Sequence, residues 1–385
     1  MKNRKYKIGV VYFDDIHIVP HFIGPVKAFF NDPDFDVNIL THQGENGFLF
    51  ESLERHHLPA GLVKQLPTYG YRQFIEKIKK RKKPSPYYLF KKHKKKLLNE
   101  YDVLIFNDIN HEYLYRNRKG KHPRFVLLMH GAGDGEYLIG SRYRDAVSKF
   151  DLITTSGPKI TGYFRKMNLP ETQIVPCGYQ KFDIIDDTVK HRFFDNDNPV
   201  ILYNPHFKRN LSSWYQFGPQ ILEFFFRNRN YNLIFAPHIN LFNKRGFLKP
   251  EIIPKKYFEA DNIRIDLGSK HSVNMDYTLA ADIYLGDVSS QIYEFLYRLR
   301  PAVFINTHRR DWQNDPHYLH WHAGEVIRNL HDLASLLNTA SRWHKKYIDK
   351  QKELMDYTFK SVKKGEASEN IKRAVKALLK NDGQG

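Results

Sequence analysis

Short apolar runs bounded by turn residues alternate with amphipathic stretches along most of the chain. That alternation constrains the fold more than any single motif. YKIGVVYF (6–13), FDVNILTH (35–42), YDVLIFND (101–108), RFVLLMH (124–130), FDLITTS (150–156) and QIVPCG (173–178) read as strands, with helical patterns such as PKITGYFRKM (158–167) between them. A polar stretch over 184–199 breaks the rhythm. It resumes with VILYNP (200–205), YNLIFAPH (231–238), NIRID (262–266), ADIYLGD (281–287) and RPAVFIN (300–306). Strands that alternate with helices predict parallel sheets covered on both faces. The expected fold is α/β, with two Rossmann-like lobes and a central cleft. Residues 1–183 form the first lobe and 184–199 the linker. Residues 200–325 form the second lobe and 326–385 a set of C-terminal helices. SENIKRAVKALL (368–379) is expected to pack back on the first lobe.

Charge narrows the partners. The 385 residues carry 61 Lys+Arg against 42 Asp+Glu, a net +19, which suggests a polyanionic partner. The excess is concentrated: residues 77–98 hold eleven Lys and Arg around Pro84-Ser85-Pro86, interleaved with Tyr87, Tyr88 and Phe90. Such a cluster is either an anchor on anionic lipid or a solvated face. The stretch 77–96 is accordingly a candidate contact with an anionic membrane surface. Nothing resembles a nucleic-acid signature, so a nucleic-acid partner is not expected. No apolar run approaches the roughly 20 residues that span a bilayer. The single Cys177 excludes an internal disulfide, and a cytoplasmic location fits best, peripheral on the inner membrane face if residues 77–96 hold an anionic surface.

Ligands of parallel α/β sheets bind beyond the carboxyl ends of the strands, so the residues that follow each strand are the candidate site. His130-Gly131-Ala132-Gly133-Asp134 follows one strand of the first lobe, and Gly178 to Lys181 follows another. In the second lobe the corresponding residues are His206 and Lys208, His238, and Asp287-Val288-Ser289-Ser290. His130 and His238, at strand ends of opposite lobes, are candidates for base and acid. Ile292, Phe295, Leu296 and Leu299 recur at helical spacing, so a helix is expected from about Ser289. Its N-terminus and the hydroxyls of Ser289 and Ser290 would hold a phosphate. Asp287 would cap that helix or meet a sugar hydroxyl, and Glu294 would reach a ribose. Gly131 would allow close approach of a ligand. Asp134 would assist His130 or contact an acceptor hydroxyl, or simply sit in a tight turn. No HExxH motif is seen, and neither metal nor cofactor is expected.

The stretch LAADIYLGDVSSQIYEFLYRLRPAVF resembles the CDP-glycerol glycerophosphotransferase family of teichoic-acid primases and polymerases, with Arg300-Pro301 in place of that family's Lys-Pro. The similarity is best over 203–306. His130-Gly131 matches the family's His-Gly motif and His238 its second histidine; Gly178 to Asp183 resembles the segment that closes the first lobe. The chain departs at Tyr203-Asn204-Pro205-His206, where the family has Tyr-Ala-Pro-Thr, and at Ala132, where it has Thr. The resemblance implies a GT-B architecture with nucleotide on the second lobe and acceptor on the first. It also implies transfer of glycerol phosphate, or a related polyol phosphate, from a CDP-activated donor to a cell-surface polymer or lipid-linked acceptor, with release of CMP. His206, Lys208, His238, Ser289 and Ser290, with Gly178 and Lys181, would line the donor side. A GT-B glycosyltransferase using a nucleotide sugar in surface polysaccharide or capsule synthesis is the alternative, and an amino-sugar epimerase of the same fold a further one.

Overall fold

The computed structural model describes residues 4–13, 15–44, 46–70, 78, 84–134, 141–186, 188–189, 191–242 and 248–380. The left half of the basic segment therefore lies largely outside the described residues. The chain divides into two compact units. The first comprises Met1–His130, Tyr137–Ile184 and Thr358–Gly385; the second comprises Gly131–Glu136 and Ile185–Tyr357.

The first unit is built on β1 (Tyr6–Tyr12), β2 (Phe35–His42), β3 (Val63–Leu66), β4 (Val103–Phe106), β5 (Arg124–Leu128), β6 (Leu152–Thr155) and β7 (Ile174–Pro176). Among the described residues these form one sheet in the order β3-β2-β1-β4-β5-β6-β7. The pairings between these strands are parallel, for example Ile8 with Val37 on one side and Val103 on the other. The second unit repeats the plan with β8 (Val200–Asn204), β9 (Asn232–Phe235), β10 (Ile263–Ile265), β11 (Ile283–Gly286), β12 (Ala302–Ile305) and β13 (Glu325–Ile327), in the order β10-β9-β8-β11-β12-β13. Each order reverses beside its first strand, at β1/β4 and at β8/β11, which is where a doubly wound sheet opens a crevice for ligand.

The central strands are continuous apolar runs because helices cover both faces. Val103, Leu104, Ile105 and Phe106 are all inaccessible, and so are Leu233, Ile234 and Phe235. Strands β3 and β13 were not expected. They are edge strands of four and three residues, and β3 exposes Lys64 and Gln65, so no hydrophobic period betrays them.

The last helix, Glu366–Lys380, packs against the Val19–Phe30 helix in the first unit. Ile371, Val375 and Leu379 share a core with Val19, Phe22 and Val26. Its N-terminus is capped from a distance, since Asp183 accepts hydrogen bonds from the Gly365 and Ser368 amides and the Ser368 hydroxyl. A carboxylate there satisfies orphan amides and meets the positive end of the helix.

The helix expected to run from Ser289 to about Leu299 is helical only over Gln291–Phe295. Arg300 ends it. Its guanidinium donates to the carbonyl of Phe295 at 2.6 Å, and to those of Thr278 at 2.7 Å, Leu279 and Ala281 at the end of the Asp276–Ala280 helix.

Candidate functional site

In the first unit, polar groups gather at the carboxyl ends of β1, β4 and β5. His17 and His21 come from the turn and helix after β1, Asn107 and Asp108 follow β4, and His130 follows β5. The His130 ring lies 6.2 Å from that of His17 and 5.8 Å from that of His21, and the His21 ring lies 5.6 Å from that of Tyr179. Burial holds His130 below its ordinary pKa. The Asp108 carboxylate and a hydrogen bond to the Asn107 backbone oppose that shift. A buried imidazole held below its ordinary pKa is neutral near pH 7 and so has one ring nitrogen without a proton, the state a general base requires.

His21 is held well below its ordinary pKa, first by burial, then by Lys181, His130 and His17. Its Nδ1 and both side-chain polar atoms of Asn107 are buried without a hydrogen-bond partner. His17 and His21 are not evident from sequence, because they do not follow β1 directly but arrive on the turn and helix beyond it, four residues apart; Asn107 does follow β4, but a lone asparagine there carries no signal. Lys181 and Gly178 are buried in this unit. Lys181 acts on His21, and Gly178, at φ +104°, lies where a Cβ would press on Val362 and Ala367. Among the described residues, no group of three or more His, Cys, Asp or Glu is arranged to hold a metal.

In the second unit the site surrounds the β8/β11 switch point. Asp287, 1% exposed, is its hub. Its carboxylate accepts from the backbone amides of His206 at 2.8 Å, Val288 at 2.7 Å and Ser213, and from the Ser213 hydroxyl at 2.7 Å. Its carbonyl accepts from Trp321 Nε1 at 2.9 Å and His320 Nε2 at 3.1 Å. Asp287 therefore neither caps the helix beyond Val288 nor waits for a sugar. It braces the loop that follows β8. Burial pushes its pKa up, and the four donors oppose that.

The braced loop presents His206 and Phe207, and the loop after β9 presents His238. The two imidazoles lie 5.4 Å apart, and each is 4.6 Å from the Phe207 ring. The Lys208 amide donates to His206 Nδ1 and the Asn240 amide to His238 Nδ1, both at 3.1 Å. Burial holds the pKa of His206 at about 3 and that of His238 at about 4, with His238 and Lys208 adding to the shift at His206. Ser289 is buried, and its hydroxyl accepts from the Gln291 amide at 3.3 Å, as an N-cap does. Ser290 and Lys208 are exposed, and Glu294 is buried on the short helix.

Asp134 has a place the sequence did not indicate. Residues Gly131–Glu136 group with the second unit. There the Asp134 carboxylate accepts from Tyr293 Oη at 2.5 Å and from the His320 amide and Nδ1 at 3.1 and 2.7 Å. A carboxylate so engaged does not assist His130. His320 Nδ1 lies 2.7 Å from that carboxylate and Nε2 3.1 Å from the Asp287 carbonyl, so this buried ring ties Asp134 to the Asp287 hub. Gly133 belongs here too, because a Cβ at that position would lie 3.3 Å from Ser290 Cβ.

Comparison with solved structures agrees with this architecture. The wall teichoic acid polymerase TagF superposes with a TM-score of 0.67 at 15% identity, covering 99% of this chain and 90% of that one. UDP-GlcNAc 2-epimerase from Neisseria meningitidis, bound to UDP-GlcNAc, gives 0.64 at 11% identity, covering 96% and 100%. MnaA from S. aureus with UDP gives 0.65 at 14%, covering 97% of each. At these identities the likeness shows the fold, a GT-B-like pair of α/β units. No curated protein matches the chain by sequence. The family model described as CDP-Glycerol:Poly(glycerophosphate) glycerophosphotransferase matches residues 74–377. With that match over most of its length, the chain belongs to the CDP-glycerol:poly(glycerophosphate) glycerophosphotransferase family and is an enzyme of that type.

Proposed function

We propose that the protein transfers glycerol phosphate, or a related polyol phosphate, from a CDP-activated donor to a hydroxyl of a cell-surface polymer or lipid-linked acceptor. The observation that carries this reading is the histidine cluster at the carboxyl ends of β1, β4 and β5, where burial keeps the His130 ring below its ordinary pKa, 6.2 Å from the His17 ring and 5.8 Å from the His21 ring. The acceptor hydroxyl gives its proton to His130 as its oxygen attacks the distal phosphorus of the donor. The bond from that phosphorus to the bridging oxygen breaks, and CMP departs with the electron pair. Phosphoryl-type transfer needs position and charge compensation more than covalent help. The second unit offers donors for that purpose: the imidazoles of His206 and His238, the hydroxyls of Ser289 and Ser290, and the Lys208 ammonium. Asp287 and Asp134 act through other residues and hold these groups in place. The exposed lysines of the Pro86–Glu100 helix would keep the enzyme near an anionic surface or polymer.

The test is CMP release from CDP-glycerol, CDP-ribitol and a panel of UDP-sugars with a glycerophosphate-primed acceptor. Turnover of a CDP-polyol, lowered at least roughly a hundredfold by His130→Ala with donor affinity kept, is expected of a lost general base. Turnover of a UDP-sugar alone would replace this reading with glycosyl transfer.

A further inference from the structure

His206 stands where the family resemblance has threonine, and the structure gives it the same backbone wiring as His238. Each Nδ1 accepts an amide from the residue two positions on, Lys208 or Asn240, at 3.1 Å. An acceptor nitrogen carries no proton, so the neutral ring holds its proton on Nε2. The wiring also opposes charging, since a protonated Nδ1 would confront the amide that now donates to it. The groups around the pair point the same way. Phe207 packs against both rings, the Lys208 ammonium is exposed beside His206, and the buried Asp287 carboxylate is taken up by four donors. Among the described residues, no carboxylate is bonded to either imidazole.

We propose that His206 and His238 are a matched pair of uncharged hydrogen-bond donors, whose Nε2–H groups together grip non-bridging oxygens of the diphosphate in a nucleotide-activated donor. The proposal rests on the functional reading above, and it assigns these rings a donor role distinct from acid–base work. His206 thereby becomes a positioning residue for the diphosphate, supplying a second N–H where a hydroxyl would reach less far. Such a pair binds phosphate oxygens by direction more than by charge, so it discriminates against ligands that place only one phosphate there.

Two measurements test it. Long-range ¹H–¹⁵N spectra of the unmutated protein at neutral pH report the tautomer of each histidine directly. Both rings are expected as Nε2–H; an Nδ1–H tautomer or an imidazolium for either ring would overturn the pair. Calorimetry with CDP-glycerol, UDP-GlcNAc and CMP then compares His206→Gln, whose amide nitrogen reproduces Nε2, with His206→Asn, whose amide reproduces Nδ1. For the diphosphate ligand that binds, Gln is expected within about threefold of the unmutated protein and Asn roughly tenfold weaker or more, a difference of one good hydrogen bond. CMP should lose less than the diphosphate ligand. Equal loss in both variants, or none in either, refutes the grip. The functional reading fails separately: binding of UDP-GlcNAc with the same contrast between Gln and Asn keeps the pair and rejects the CDP donor.

Discussion

Four histidines of this protein show how much the surroundings of one side chain decide. His130 lies against two other imidazoles and is held below its ordinary pKa by burial; His206 and His238 accept from backbone amides at Nδ1. His111 is wholly buried among Phe106, Phe125 and Phe150, and neither ring nitrogen has a partner. Burial there holds its pKa at about 4. A histidine whose folded pKa lies below the unfolded value near 6.5 binds fewer protons folded than unfolded. Stability from this residue is then full above about pH 6.5 and falls as the pH drops toward 4. From pH 7.5 to pH 5 the loss at His111 is on the order of 2 kcal/mol. Urea unfolding of His111→Phe should show a correspondingly smaller drop over that range; an unchanged drop would mean His111 is not the buried titrating group. The same sign applies to catalysis. With His130 held below its ordinary pKa, the acid limb of kcat/KM should fall below pH 6.5, and a limb well above it would contradict the assignment. Sequence alone pointed to His130, His206 and His238 because each follows a strand. It did not reveal the amides that bond His206 and His238, because those backbone groups are arranged only by folding.

Among the elements, Arg300 closes two helices with one side chain. Four carbonyls from the ends of the Asp276–Ala280 and Gln291–Phe295 helices converge on its guanidinium, which also stacks 4.0 Å from the centre of the Phe295 ring. Burial lowers its pKa to about 9, so it remains charged at neutral pH. A lysine keeps the charge but not the planar fork. Arg300→Lys is expected to cost about 1–2 kcal/mol and Arg300→Met about 3, since the latter leaves buried carbonyls without donors. Thermal or urea unfolding checks both, and equal small losses would show that the fork is dispensable. This residue also explains why the periodic pattern overestimated the helix after Ser290. The apolar spacing over 292–299 is real, but Arg300 draws off the Phe295 carbonyl and the chain tightens into turns, with the Arg298 amide bonded to the Phe295 carbonyl. Hydrophobic period locates a buried face; it does not record where a distant side chain stops the coil.

At the level of the molecule, both sheets were legible because parallel strands covered on two faces leave unbroken apolar runs. The edges were not, and neither was the assignment of Gly131–Glu136 to the second unit, since the hydrogen bond between Asp134 and His320 joins residues far apart in sequence. Charge was legible as a sum but not as a surface. On the Pro86–Glu100 helix Lys91, Lys95 and Lys96 are exposed, while Lys94 bonds Asn117 and His93 the Pro67 carbonyl. Tyr87 beside them is 59% exposed. No helix among the described residues is long and apolar enough to cross a membrane. Replacing Lys91, Lys95 and Lys96 together by Gln is expected to weaken binding to phosphatidylglycerol vesicles, read by sedimentation, by about a hundredfold at low salt, each cation being worth about 1 kcal/mol near an anionic surface. CMP release with a soluble acceptor should persist. Unaltered vesicle binding would show these lysines to be a solvated face.

The Glu366–Lys380 helix has a consequence for how the protein is made. The apolar side of the Val19–Phe30 helix emerges early from the ribosome, but its cover, Ile371, Val375 and Leu379, is synthesised only after all of Ile185–Tyr357. Asp183 likewise waits for the amides of Gly365 and Ser368. Domains usually mature in the order of translation. Here the unit begun first is finished last, so its nascent form carries an uncovered apolar stripe throughout synthesis of the second unit.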